Sequence, residues 1–185
     1  MNLIGTHDTE RILTVLGGED STGKTNAYLI NARLNNEERK IAKEKLFMAY
    51  AISATLPGIP SIFYGDEVGM EGYSDPFNRR TFPWGKEDEE ILTFYKTIGK
   101  IRRDNSVYKK GQLLPLIISN EVLAFARIDK NSRLISFVNN SDTEKILNFK
   151  KNAEALISNQ TSKTVKILPH TVEIIKTYEK SFTWN

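Results

Sequence analysis

Leu56-Pro57-Gly58-Ile59-Pro60-Ser61-Ile62-Phe63-Tyr64-Gly65-Asp66-Glu67-Val68-Gly69-Met70 decides how the first half of this chain folds. Within it, Pro60 to Tyr64 form a compact apolar run closed by Gly65-Asp66-Glu67, which reads as a buried strand released into a polar loop. Pro57-Gly58 ends the helix that precedes it. That helix opens at Asn35, where Asn35 and Glu38 have the spacing of a capping box, and it carries Ile41, Lys45, Met48, Ile52 and Leu56 on one face. Further upstream, residues 2–5 form a second short apolar run that ends on Gly5-Thr6-His7-Asp8, again a strand feeding a polar loop. A helical turn at residues 10–16 and a loop at residues 17–25, rich in Gly, Ser, Thr and Asp, link the two regions. Downstream of the quoted stretch, roughly twenty residues dense in Gly, Pro, Asp and Arg form a long loop of the kind that usually serves a function. A helix then runs from Glu87 to about Asp104, burying Ile91, Tyr95 and Ile98, with acidic residues in its first turn where the macrodipole favours them.

From Tyr108 the texture changes to short runs of alternating apolar and polar residues, at 122–128, 133–138, 145–149 and 172–178. Polar clusters such as Asn139-Asn140-Ser141-Asp142 separate them, which is hairpin punctuation. The element order is therefore strand, helix, strand, helix, then strands only. The expected fold is mixed α+β, with two β/α units of a parallel sheet or barrel in residues 1–106 and an antiparallel β-sandwich in residues 107–185. Two β/α units are too few to close a barrel.

Composition narrows the function classes. The 185 residues are 39% hydrophobic and 26% charged, with no cysteine, which excludes disulfides and thiolate-based metal centres. A formal charge of +3 comes from 26 basic and 23 acidic residues scattered in pairs such as Arg102-Arg103 and Lys150-Lys151, with no basic stripe interleaved with aromatics. Neither nucleic acid nor membrane is expected as a partner, since no apolar run has the length to span a bilayer. The first residues lack the charged and apolar regions of a signal peptide; the compartment is open, with the cytoplasm favoured. No cofactor or metal is expected. His170, one of two histidines, has no companion at metal-ligand spacing.

His7 and Asp8 stand at the carboxy end of a strand, the edge where reactive groups gather in β/α architectures. From the residues alone they are either part of a site or caps of the helical turn that follows. The segment Asn2-Leu3-Ile4-Gly5-Thr6-His7-Asp8-Thr9-Glu10-Arg11 resembles the last conserved segment of the α-amylase superfamily, family 13 of the glycoside hydrolases, on the seventh strand of a (β/α)8 barrel. The stretch from Leu56 to Met70 resembles that family's eighth strand and exit loop. Asp75-Pro76-Phe77-Asn78-Arg79-Arg80-Thr81-Phe82-Pro83-Trp84 is similar to a loop of the neopullulanase, cyclomaltodextrinase and maltogenic-amylase group.

The resemblance implies roles residue by residue. Asp8 matches the family's third carboxylate, which grips ring hydroxyls at the cleavage point and favours the positively charged transition state. His7 matches the histidine that donates to the same hydroxyls. Asp75 and Arg79 match a pair that contacts a more distant glucose unit; the alternative is a local ion pair that stiffens the loop. Asp66 and Glu67 are expected to shape the loop. Thr6 replaces the Asn of many α-amylases. Trp84 either stacks on a sugar or packs down on its own barrel. The nucleophile and the acid/base of a retaining glycosidase, about 5 to 5.5 Å apart, belong to the family's fourth and fifth strands, which would precede residue 1. Glu37-Glu38 and Glu89-Glu90 have the look of solvated helix faces.

The resemblance thus implies the carboxy-terminal part of an α-glucan hydrolase. Its expected partners are an α-glucan or maltooligosaccharide substrate and the missing amino-terminal barrel portion, and the isolated chain is expected to be inactive. Self-association through open strand edges is also expected. The other reading is a stand-alone carbohydrate-binding or assembly module without catalysis, with Tyr108, Tyr178 and Trp184 as its aromatic candidates.

Overall fold

The computed structural model describes residues 1–130 and 132–185. It is a mixed α+β chain of two compact units, one formed by Met1–Ser53 with Gly58–Lys96 and the other by Ala54–Pro57 with Thr97–Asn185.

The first unit starts with β1 (Asn2–Leu3), α1 (Ile12–Gly17) and α2 (Asn26–Leu29), the last a short helix directly after the loop read at residues 17–25. Then come α3 (Asn36–Thr55), β2 (Pro60–Ser61), two 3-10 turns at Asp66–Val68 and Phe77–Arg79, and α4 (Glu89–Asp104), the end of α3 from Ala54 and of α4 from Thr97 belonging to the second unit. β1 and β2 are parallel, with Asn2 opposite Pro60 and Leu3 opposite Ser61. Both are shorter than the apolar runs that encode them, because among the described residues each has a single strand neighbour. Gly58, at φ 115°, is required here: a Cβ would lie 2.8 Å from the Asn2 side-chain oxygen.

The capping box forms as its spacing predicts. Glu38 N donates to Asn35 Oδ1 at 3.0 Å, and Asn35 N donates to Glu38 Oε2 at 2.8 Å. The buried face of α3 matches the expected one only in part. Met48 is buried, but Ile41 is 45% exposed and Lys45 is exposed, whereas Ala42, Leu46, Tyr50, Ala51 and Ala54 are buried. Three of the deciding residues, Ala42, Ala51 and Ala54, are small, and they permit close approach while adding little to the apolar periodicity. Tyr50 stacks on Tyr95 with ring centroids 3.7 Å apart, and Phe47 on Phe94 at 4.3 Å, so aromatic pairs tie α3 to α4. α4 buries Ile91, Tyr95 and Ile98 as its periodicity predicts. Its first turn is capped by Asp88, which accepts from Ile91 N at 3.2 Å. Burial alone would raise the Asp88 carboxyl, but hydrogen bonds from Lys43 and Arg39 hold it below the usual carboxylate range.

The second unit holds α5 (Val107–Lys110) and one antiparallel sheet. The strands are β3 (Gln112–Ile118), β4 (Val122–Ile128), β5 (Arg133–Asn139), β6 (Lys145–Ala155), β7 (Gln160–Ile167), β8 (Thr171–Thr177) and β9 (Thr183–Trp184). They are ordered β3-β4-β5-β8-β6-β7, with β9 also paired to β6. Every residue of β5 is buried, as suits a central strand, and its core includes Ile135 and Phe137 against Ala124, Leu147 and Ile175. β6 shifts register between Asn148 and Ala153, and the Glu179 carboxylate takes up the freed amides of Lys150 and Lys151. Pro115 is tolerated in β3 because that strand lies at the sheet edge.

Arg127 of β4 is buried and has carbonyls for partners: Thr55 at 3.1 Å and Gly111 at 2.8 Å, with Val107 and Tyr108 at longer range. Arg102 donates to the carbonyl of Ala54. Two arginines therefore close the carboxy end of α3, where four carbonyls lack helical partners. Burial lowers the Arg127 pKa, with the nearby Arg102 charge adding to the effect.

Candidate functional site

Four residues singled out from the sequence meet at one place in the first unit. Arg79 is the hub. Its Nε lies 3.1 Å from Asp75 Oδ1, and its Nη2 lies 3.8 Å from Asp8 Oδ1. His7 Nε2 completes the group at 3.2 Å from the same Asp8 oxygen. Asp8 and His7 are 73% and 63% exposed, so both keep free hydrogen-bonding capacity toward solvent.

Local chemistry pushes these two side chains outward. Thr6 and Thr9 close a tight turn: Thr6 N donates to Thr9 Oγ1 at 3.1 Å, Thr9 Oγ1 donates to the Thr6 carbonyl at 3.2 Å, and Asp8 N donates to Thr6 Oγ1 at 3.2 Å. Thr6 is thus the residue that shapes the turn under Asp8. Asn78, fully buried, fixes it from the loop side by donating to the carbonyls of His7 and Thr9, both at 2.8 Å. The loop reaches this position through a cis peptide bond between Asp75 and Pro76.

Beneath the turn lies a buried ion pair. Arg11 Nη1 meets Asp66 Oδ1 at 3.1 Å with both side chains almost wholly inaccessible. Arg11 also donates to the carbonyls of Asn78 and Tyr64, and its guanidinium sits 4.1 Å from the Phe63 ring centre and 4.5 Å from that of Tyr64. Burial pushes the Asp66 carboxyl up to about 6, and Arg11 only partly opposes it. Gly5 makes room for this pair, since a Cβ there would lie 2.6 Å from Asp66 Oδ2. Arg11 and Asn78 were not identifiable as positioning residues from local sequence; their partners are all remote in the chain. Glu67 turns inward, accepting from Gly65 N at 2.7 Å.

Other candidates resolve differently. Trp84 is 81% exposed and has the Phe82 ring 4.5 Å away, so it does not pack down into its unit. Glu38 serves the capping box, and Glu90 pairs with Lys43 at 2.8 Å. His170 meets Asp142 at 2.9 Å. Not singled out from the sequence, the string Gly18-Glu19-Asp20-Ser21-Thr22-Gly23-Lys24-Thr25 does have the spacing of a phosphate-binding loop. Here it joins two short helices in place of a strand and a helix, Lys24 pairs with Glu19 at 2.7 Å, and the Thr25 side chain caps α2. Among the described residues, no three His, Asp or Glu side chains converge as metal ligands would, and no helix is long and apolar enough to cross a membrane.

No protein-family model matches the chain. An amylopullulanase of Thermoanaerobacter thermohydrosulfuricus is 43% identical over 127 residues, covering 69% of this chain and 8% of that protein. A cyclomaltodextrinase of Thermoanaerobacter pseudethanolicus is 36% identical over 148 residues, or 79% of this chain and 22% of the relative. The chain belongs to the α-amylase superfamily. It spans under a quarter of the length of either of these relatives. Among solved structures, the α-amylase of Geobacillus thermoleovorans, complexed with acarbose, matches the fold with a TM-score of 0.73 at 20% identity, over 97% of this chain and 39% of that one.

Proposed function

We propose that this chain is the carboxy-terminal part of a retaining α-glucan hydrolase, with residues 1–106 contributing the seventh and eighth strand units of a catalytic barrel. Residues 107–185 form the sandwich domain that follows it. The observation that carries this reading is the convergence of Asp8, His7, Asp75 and Arg79 on one exposed surface, although the two pairs are far apart in sequence. With Arg79 between Asp8 and Asp75, the carboxylates of the group outnumber its guanidinium by one. That excess favours an oxocarbenium-like transition state, and an exposed carboxylate can strengthen its hydrogen bonds to a sugar 2-OH as positive charge develops. Asp8 is the transition-state stabiliser in this reading, His7 its companion donor, and Asp75 with Arg79 the holder of a further glucose unit.

Asp8 and Asp75 do not substitute for the missing pair of acids. The acids of a retaining site face one another across the scissile bond, whereas here the Arg79 guanidinium contacts both carboxylates. The purified chain is therefore expected to release no reducing sugar from maltodextrin, cyclodextrin or pullulan. Turnover that follows the chain through purification and survives Asp8→Ala would overturn the reading. In the full-length parent, Asp8→Asn is expected to lower kcat at least a hundredfold, with a smaller change in KM.

β1 and β2 form a sheet of two strands among the described residues, and Leu3, Ile59 and Ile62 are exposed beside them, which supports assembly as a second property of the isolated chain. Light scattering across a wide concentration range tests it. A single monomeric species throughout would refute it.

A further inference from the structure

Arg33 and Arg80 turn their guanidiniums onto one backbone oxygen. Arg80 donates from Nη2 to the Ile30 carbonyl at 2.9 Å and from Nε to the Phe77 carbonyl at 3.1 Å. Arg33 donates from Nη1 to the same Ile30 carbonyl at 3.3 Å and to that of Ala32 at 2.6 Å. Backbone oxygens thus aim both forks, and among the described residues neither arginine pairs with a carboxylate. The two, together with Lys86 and Arg39, line a cleft of about 240 Å³. Glu71 is the one acid in that lining, and it is already occupied by Arg39 and by the amide of Leu34. Arg39 is further neutralised by Asp88 at 2.9 Å. Arg33, Arg80 and Lys86 therefore face the cleft with no carboxylate paired to them among the described residues, and Glu71 acts on Arg80 only at longer range.

Burial, and after it the adjacent Arg33 charge, lowers the Arg80 pKa. Like charges held this way repel, and a bound anion would relieve the repulsion. A carboxylate offers two oxygens and a single charge. A phosphoryl group offers three or four oxygens and nearly two charges, which suits two planar forks and an ammonium together. We propose that the cleft between Arg33, Arg80 and Lys86 binds a phosphoryl-type oxyanion, free or carried on a sugar. This site does not depend on the sugar-contact reading of Asp8.

Titrating the whole chain with inorganic phosphate at constant ionic strength, followed by amide NMR shifts, tests the proposal. Saturable shifts confined to residues 30–33 and 80–86 are expected, with none from chloride at the same ionic strength. Arg33→Gln combined with Lys86→Gln is expected to weaken binding at least tenfold; both residues are exposed, and the backbone contacts of Arg80 stay in place. Non-saturable shifts, equal shifts from chloride, or wild-type affinity in the double variant would each overturn it. Glucose 6-phosphate separates the sources. Tighter binding than phosphate assigns a sugar phosphate, and equal or weaker binding assigns the free anion.

Discussion

The side-chain amide of Asn78 donates to the backbone carbonyl of His7 at 2.8 Å, across a sequence separation of 71 residues. A second bond from the same nitrogen reaches Thr9, so one buried side chain sets the height of the turn that presents Asp8. Asn78→Ala strands two carbonyls and is expected to destabilise the chain by about 1 to 3 kcal/mol. Amide exchange at residues 7–9 should rise more than exchange in α4. Equal protection in variant and wild type would show that the turn stands by its own threonine bonds.

The Arg11–Asp66 pair makes stability depend on pH in an unusual direction. Because the folded Asp66 pKa lies above its ordinary 3.8, at about 6, the native state holds this proton more tightly than the unfolded chain does. Stability contributed by this group is therefore fully present below about 4 and is lost as pH rises to about 6, each unit of separation being worth about 1.4 kcal/mol. Urea unfolding from pH 4 to 7, compared between wild type and Asp66→Asn, isolates the effect. The wild type should lose stability relative to the variant across that window. A gain would show that Arg11 outweighs burial.

The capping box offers a local test. Asn35→Ala leaves the Glu38 amide without its acceptor and is expected to lower stability by about 0.5 to 2 kcal/mol, with Asn35→Ser recovering most of it. Thermal unfolding of the three proteins measures this ordering.

Arg127→Met sets two effects against each other. It removes a buried charge whose hydrogen-bond partners are carbonyls, and it removes the hydrogen bonds that Thr55 and Gly111 accept from it. Loss of the partners is expected to win, with a net destabilisation of about 1 to 3 kcal/mol. Denaturant midpoints at constant slope would show it. A variant as stable as wild type would mean that removing the charge fully offsets the lost hydrogen bonds.

Sequence by itself determined what nearest neighbours decide. Asn35 and Glu38 cap α3 because they stand three residues apart, and Ile91, Tyr95 and Ile98 share a face because a helix brings every third or fourth residue round. Alternation likewise marked β4 and β5, while the full length of β6 passed beyond the apolar run that announces it. β3 and β7 escaped because edge strands carry a proline or an open polar face, which looks like loop until a partner strand is known. The inward face of α3 was partly misread for a related reason, since alanines bury closely yet signal weakly. For the site, the motif residues Asp8, His7, Asp75 and Arg79 could be named from sequence. Only tertiary structure decided that Arg79 stands between the two carboxylates, that Asn78 holds the turn and that Arg11 meets Asp66 below it. Apart from the Asp75–Arg79 pair, which lies within four residues, those contacts join segments more than fifty residues apart, and no local propensity fixes where such segments meet.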